Sequence, residues 1–147
     1  MRILLISGPN LNMLGKRQPE IYGSMTLQDI VDKVTKRGQE LGAEIVPFQS
    51  NHEGAIIDFI QDNGPQADGI LINAGALTHY GLALRDVFEA VRKPFVEVHI
   101  SNIHAREEFR HHSVLADIAI AQVAGLGWRG YIAALESLVG ILEEKKK

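Results

Sequence analysis

The sequence predicts an α/β fold in which helices cover both faces of a five-stranded parallel sheet, and three observations lead there. Five short apolar runs, at residues 3–6, 45–48, 69–73, 95–100 and 118–121, are spaced along the chain like strands. Between them lie segments whose apolar residues recur every three or four positions, the period of a helix packed on one side. The chain is 147 residues long, which suits one domain with a continuous core. Alternation of this kind implies parallel strands joined by right-handed crossovers.

The first run, Ile3-Leu4-Leu5-Ile6, reads as a buried strand emptying into a polar loop, Gly8-Pro9-Asn10-Leu11-Asn12-Met13-Leu14-Gly15-Lys16-Arg17, that continues through Tyr22-Gly23. Thr26-Leu27-Gln28-Asp29 has the spacing of a capping box and opens a helix whose Leu27, Ile30, Val31, Val34 and Leu41 share a face, with Gly42 as its stop. Ile45-Val46-Pro47-Phe48 is a second strand, and its proline places it at an edge. Ser50-Asn51-His52-Glu53 repeats the capping-box spacing ahead of a helix carrying Ile56, Ile57, Phe59 and Ile60, which Asn63-Gly64-Pro65 ends. Gly69-Ile70-Leu71-Ile72-Asn73 is the unbroken apolar run of a central strand covered on both faces. Thr78 is expected to cap a helix containing Leu82, Leu84, Val87, Phe88 and Val91, closed by Lys93-Pro94. A fourth strand follows at 95–100, a turn at Ser101-Asn102, and a short charged helix through Arg106-Glu107-Glu108. Residues 118–121 make the fifth strand and 131–142 the last helix.

Periodicity does not itself set the order of strands. At this size the common three-layer solution is the flavodoxin-like order 2-1-3-4-5, which puts strands one and three side by side at the switch point. The residues after strand one (Asn10, Asn12), strand three (Asn73, Gly75) and strand four (His99, Ser101) then converge on one rim, where small ligands bind in such sheets.

Composition removes several other classes. With 46% hydrophobic and 22% charged residues the chain reads as globular, and its formal charge of −3 argues against a nucleic-acid partner held by a basic surface. There is no cysteine, so disulfides, thiolate nucleophiles and cysteine-ligated metals are excluded. No apolar stretch approaches the ~20 residues that span a bilayer, and Met1-Arg2 leads straight into a strand, so no membrane partner is expected and the cytoplasm is the default location. His99, His104, His111 and His112 are close in sequence without the spacing of a zinc site, so no metal is expected.

Four motifs, in order and in register, closely resemble type II 3-dehydroquinate dehydratases. They are Gly8-Pro9-Asn10-Leu11-Asn12 with Arg17 and Tyr22-Gly23; Gln49-Ser50-Asn51-His52-Glu53-Gly54; Ile72-Asn73-Ala74-Gly75-Ala76 with Thr78-His79; and Glu97-Val98-His99-Ile100-Ser101-Asn102. The resemblance covers essentially the whole chain and departs locally at Tyr80-Gly81, where the family more often has small hydroxyl residues. It implies a flavodoxin-like fold; the length suits one catalytic domain, 1–147, and Gly15, Gly23 and the long polar connection predict a mobile lid loop at about 8–25. The implied activity is a hydro-lyase reaction without cofactor or metal, 3-dehydroquinate losing water through an enolate to give 3-dehydroshikimate, on the shikimate route to aromatic amino acids. The implied partners are that small-molecule substrate and further copies of the chain, since the family commonly forms dodecamers built from trimers.

The residues fit that chemistry. Removing water from a β-hydroxy ketone requires a base for the proton next to the carbonyl, stabilisation of the enolate, and an acid for the departing hydroxyl. A phenol has a pKa near ~10, and a neighbouring guanidinium lowers it, so Arg17 suits Tyr22 as the base. By spacing alone the same two residues read more readily as a turn aromatic and a surface charge. The family gives the matching positions the roles of proton acceptor and transition-state stabiliser. His99 is the candidate proton donor because imidazole titrates near the operating pH, and Glu97, two residues earlier on the same strand face, can hold the ring protonated. Asn10 would hold a water or polar group near the enolate oxygen. By resemblance, Ile100 and Ser101 offer N–H groups and a hydroxyl to the substrate carboxylate, Asn73, His79 and Arg110 contact the ring substituents or carboxylate region, and Asp86 reaches a neighbouring subunit's site.

Other functions of this fold need other residues. A flavin- or nucleotide-binding module without catalysis would carry a Gly-x-Gly-x-x-Gly or Gly-Lys-Ser/Thr phosphate loop, which the first loop lacks. A phosphoryl-accepting domain needs an aspartate where strand three ends in Asn73, and a Schiff-base route needs a buried lysine where every lysine falls in a helix or loop.

Overall fold

Five strands, β1 (Arg2–Ser7), β2 (Glu44–Gln49), β3 (Gly69–Asn73), β4 (Phe95–His99) and β5 (Ala121–Ala124), pair in parallel in the order β2-β1-β3-β4-β5. The computed structural model describes residues 1–16, 19–22 and 24–147, with backbone alone at 21 and 22. The order is the flavodoxin-like one. β2 lies at an edge, where Pro47 leaves no ladder donor missing from a further strand.

Among the described residues five α-helices accompany the sheet: α1 (Pro19–Tyr22), α2 (Leu27–Glu40), α3 (Glu53–Asn63), α4 (Leu82–Val91) and α5 (Arg129–Lys145). Because successive strand side chains point to opposite faces, the sheet feeds two cores. Ile3, Leu5, Leu71, Val96 and Val98 pack with Ile30 and Val34 of α2 and with Ala134, Leu135 and Leu138 of α5. Leu4, Ile6, Ile70, Ile72 and Phe95 pack with Ile56 and Ile60 of α3 and Leu84, Val87 and Phe88 of α4. The central strands β1, β3 and β4 are buried almost throughout, as their unbroken apolar runs require. Each fully buried aliphatic side chain contributes roughly 1.5–3 kcal/mol relative to exposure, so the sheet's rim is held on a stiff base.

α2 begins with the expected capping box: Thr26 Oγ1 accepts from Asp29 N at 3.1 Å and Asp29 accepts from Thr26 N at 3.0 Å. The second predicted box does not form. Ser50 Oγ takes the N–H of His52, α3 starts after His52, and Glu53 instead accepts the Leu84 N–H at 3.1 Å in the first turn of α4. α3 and α4 lie side by side, so the carboxylate satisfies an orphan donor on its neighbour.

Three further expectations are corrected. Thr78 is not the cap of α4; it is buried in a 3₁₀ turn, Gly75–His79, with its C=O taken by Val114 N, and the helix begins after Gly81. The charged segment around Arg106 forms no single helix but two 3₁₀ turns, Ile103–Ala105 and Glu108–Arg110. The fifth strand is Ala121–Ala124 rather than 118–121: the N–H groups of Ile118 and Ala119 both bond Leu115 O in a turn, and both side chains pack on the α3/α4 core. The fourth strand stops at His99, and the last helix runs from Arg129.

Candidate active site

The C-terminal ends of β1 and β3 meet at the switch point through an unusually close backbone approach. Gly8 N–H donates to Asn73 O at 2.8 Å, and a Cβ on Gly8 would stand 2.4 Å from Ala74 O. Gly75 returns the contact, at φ 61°, against Pro9 O. Gly8→Ala must push the two loops apart, and overpacking of this kind costs typically 1–3 kcal/mol. The expected result is a lower thermal midpoint together with reduced turnover, measurable by calorimetry and a steady-state assay.

Behind that junction opens a cleft of about 150 Å³, lined by residues from the ends of β1, β3 and β4 and from the loop after β4. Asn10 stands on its lip in the left-handed region, φ 70°, a conformation asparagine tolerates better than most residues. Its N–H is held by Asn51 Oδ1 at 3.0 Å, while Gln49 Nε2 donates to Gly8 O at 3.2 Å. The end of β2 therefore fixes the course of the first loop. Asn73 is fixed from the opposite layer: its Nδ2 donates to the Tyr131 hydroxyl of α5 at 2.9 Å, and its Oδ1 accepts Gly75 N–H at 3.1 Å. Burial pushes the Tyr131 phenol up to about 12, so it serves as a neutral post.

His99 lines the cleft and Glu97 lies behind it with no exposure. His99 Nε2 is 2.6 Å from Glu97 Oε2; Glu97 also accepts from Ser113 Oγ at 2.5 Å and from Gln122 Nε2. Burial drives this carboxyl upward, but the hydrogen bonds from His99, Gln122 and Ser113 outweigh it and hold Glu97 below its ordinary 4.5. A carboxyl with a depressed folded-state value stabilises the fold fully above its unfolded value and loses that contribution as pH falls through the folded one. Thermal stability should therefore decline more steeply below pH 4.5 in the wild type than in Glu97→Gln, a difference a pH series of melting curves would reveal.

The remaining wall is basic and imidazole-bearing. His79 lines the cleft and its Nδ1 donates to His112 O at 2.7 Å, which leaves Nε2 as its other ring nitrogen. Arg106 and Arg110 both line the cleft, with Arg110 Nε on Glu107 at 2.7 Å. Guanidinium groups at one end of a small cleft favour an anionic substituent there.

Of the residues singled out from the sequence, Asn10, Asn73, His79, His99, Ile100, Ser101 and Arg110 come together around this cleft. Glu97 does not line it and meets it only through its hydrogen bond with His99. Asp86 is exposed on α4 and does not line the cleft of its own chain. Arg17 and the Tyr22 side chain lie outside the described residues. Sequence reasoning missed Ser113, Gln122, Tyr131 and Arg106. Of these Arg106 alone carried a signal, a cation in the loop following the Glu-Val-His motif. Among the described residues no three His, Asp or Glu side chains gather as a metal site.

A flavodoxin-like sheet with a cleft beside its switch point, where a buried carboxylate–imidazole pair, fixed amides and guanidinium groups meet, defines an α/β protein equipped for acid–base work on a small anion. The family model described as "Dehydroquinase class II" matches residues 1–139. The chain is 58% identical over 140 residues to a 3-dehydroquinate dehydratase of Roseiflexus castenholzii, covering 95% of this chain and 89% of that one. It is 54% identical to a catabolic 3-dehydroquinase of Podospora anserina, covering 92% and 91%. The crystal structure of a type II dehydroquinase from Butyrivibrio crossotus superposes with a TM-score of 0.91 at 46% identity, over 94% of this chain and 97% of that one. The chain belongs to the class II dehydroquinase family.

Proposed function

We propose that this cleft removes water from 3-dehydroquinate to give 3-dehydroshikimate, a hydro-lyase reaction of the shikimate route. The observation that carries the reading is the His99–Glu97 pair set at the cleft beside Asn73 and the two arginines, in a chain of this family. Tyr22 as phenolate, favoured by Arg17, takes the proton next to the ketone, and the electron pair moves onto the carbonyl oxygen as an enolate. Asn10 holds a polar group or water against that oxygen. His99 then protonates the departing hydroxyl as the enolate collapses, releasing water and forming the conjugated enone. Return of the proton from Tyr22 to His99 restores the starting state, so no cofactor or metal enters a step.

The substrate carboxylate sits against the N–H groups of Ile100 and Ser101 with Arg110, and Asn73 and His79 bind the ring substituents. The segment at about 8–25 serves as the lid that brings Arg17 and Tyr22 over the site, a reading supported by Pro9, Asn10, Leu11, Met13 and Leu14 already lining the cleft. The exposed position of Asp86 suits a residue offered to a neighbouring copy, in a homododecamer working in the cytoplasm. No helix among the described residues is long and apolar enough to cross a membrane.

The test is direct. Purified protein mixed with 3-dehydroquinate should generate the ultraviolet absorbance of the conjugated enone, and absence of product from well-folded protein refutes the assignment.

A further inference from the structure

Two neutral side chains outside the cleft converge on one buried carboxylate. Glu97 Oε1 accepts the Ser113 hydroxyl, and Oε2 accepts both the Gln122 amide and His99 Nε2. The sheet explains Gln122: it pairs with Glu97 in the β4–β5 register, so both side chains project to the same face. Ser113 is set by its own turn. Its Oγ accepts the N–H groups of Leu115 at 3.1 Å and Ala116 at 3.0 Å, which leaves its hydroxyl proton for Glu97.

The consequence appears when protons are counted. A carboxylate beside an imidazolium can relax by moving one proton from Nε2 to Oε2, giving a carboxylic acid and a neutral imidazole. The number of protons is unchanged and Nδ1 keeps its hydrogen, but its acidity does not survive. An imidazolium gives up a proton near pH ~6.5, whereas the N–H of neutral imidazole is a very weak acid. Burial favours the uncharged arrangement. Donors aimed at both carboxylate oxygens favour the charged one, because a protonated oxygen accepts hydrogen bonds poorly.

We propose that Ser113 and Gln122 are positioning residues that keep the Glu97–His99 pair as carboxylate and imidazolium, with the Nε2 proton pinned to Glu97 and the transferable proton on Nδ1. Among the described residues, the other charged or titratable groups at the His99 side of the pair are His79, from the turn after β3, and Arg106 and Arg110, from the loop after β4. On the Glu97 side, β5 and the turn at Ser113 supply only neutral donors. The effect on turnover rests on His99 being the acid; the placement of the protons does not.

Nitrogen-15 NMR of the histidine rings in the full-length protein reads that placement without any assay. In the wild type at neutral pH, His99 Nε2 should carry a proton. Gln122→Met removes one donor with little change in volume. It should shift His99 toward the neutral form protonated at Nδ1 and lower kcat on the order of tenfold or more, with KM within about twofold of wild type. Ser113→Ala should do the same, and Ser113→Thr, which retains a hydroxyl, should recover most of the loss. A wild-type His99 with a bare Nε2 overturns the proposal, as does an unchanged proton distribution and kcat in both Gln122→Met and Ser113→Ala. If a variant fails to fold, the wild-type spectrum still decides. If the wild type makes no enone yet shows the Nε2 proton, the proposed reaction falls and the proton placement stands.

Discussion

Replacing His99 with alanine is expected to lower kcat by about 10²–10⁴-fold, the usual contribution of a positioned general acid. KM should change much less, because the cleft keeps its arginines, Asn73 and the loop after β4. Added imidazole should restore part of the rate, since the side chain leaves a space beside Glu97. The same variant isolates a second effect. Without its ring partner, Glu97 retains Ser113 and Gln122 but loses the one donor that can carry charge, so an already buried carboxylate becomes harder to ionise. His99→Ala should therefore also lower the thermal midpoint near neutral pH, and comparison of kcat with melting data separates the two losses.

Tyr22→Phe is expected to reduce kcat by a comparable ~10²–10⁴-fold, because it removes the only group assigned to take the proton. Folding should be unaffected as judged by circular dichroism, and full activity in this variant would remove Tyr22 from the mechanism. Arg17→Ala supplies the pH test. The base must be ionised to work, a neighbouring positive charge lowers the pH at which a phenol ionises, and loss of that charge raises it. The limb of the rate profile that rises with pH should therefore move to higher pH in Arg17→Ala, while the plateau above it falls less. A limb that stays in place would show that Arg17 does not act through the phenol.

The elements that the sequence makes legible are those whose apolar pattern has one explanation. β1, β3 and β4 are buried on both faces, and their unbroken runs allow little else. Pro47 marks β2 as an edge for a similarly local reason. β5 misleads because an edge strand of Ala-Gln-Val-Ala is less apolar than the turn before it, whose Ile118 and Ala119 pack on a helix layer from an irregular segment. Glu53 misleads because cap spacing is local, while the donor its carboxylate satisfies lies on the neighbouring helix, and Thr78 misleads because its turn runs on to His79 and the helix starts only after Gly81.

The site divides along the same line. Glu97 and His99 sit two apart on one strand, so their shared face and contact follow from pleating alone. Gln122 meets them only through a parallel register between β4 and β5, 25 residues away in sequence. Tyr131 reaches Asn73 across 58 residues from a helix in the other layer. No spacing rule within the chain announces such partners; they are products of the packing.

Those partners share one property with a temporal meaning. Among the described residues, those lining the cleft belong to the first 110 positions, whereas three side chains that bond Glu97 and Asn73, namely Ser113, Gln122 and Tyr131, come later. Synthesis proceeds from the N-terminus, so a growing chain presents His99 and Glu97 before the later side chains that bond Glu97. The contacts to Glu97 and Asn73 therefore form only once the turn at Ser113, β5 and α5 have followed the cleft's own residues out of synthesis.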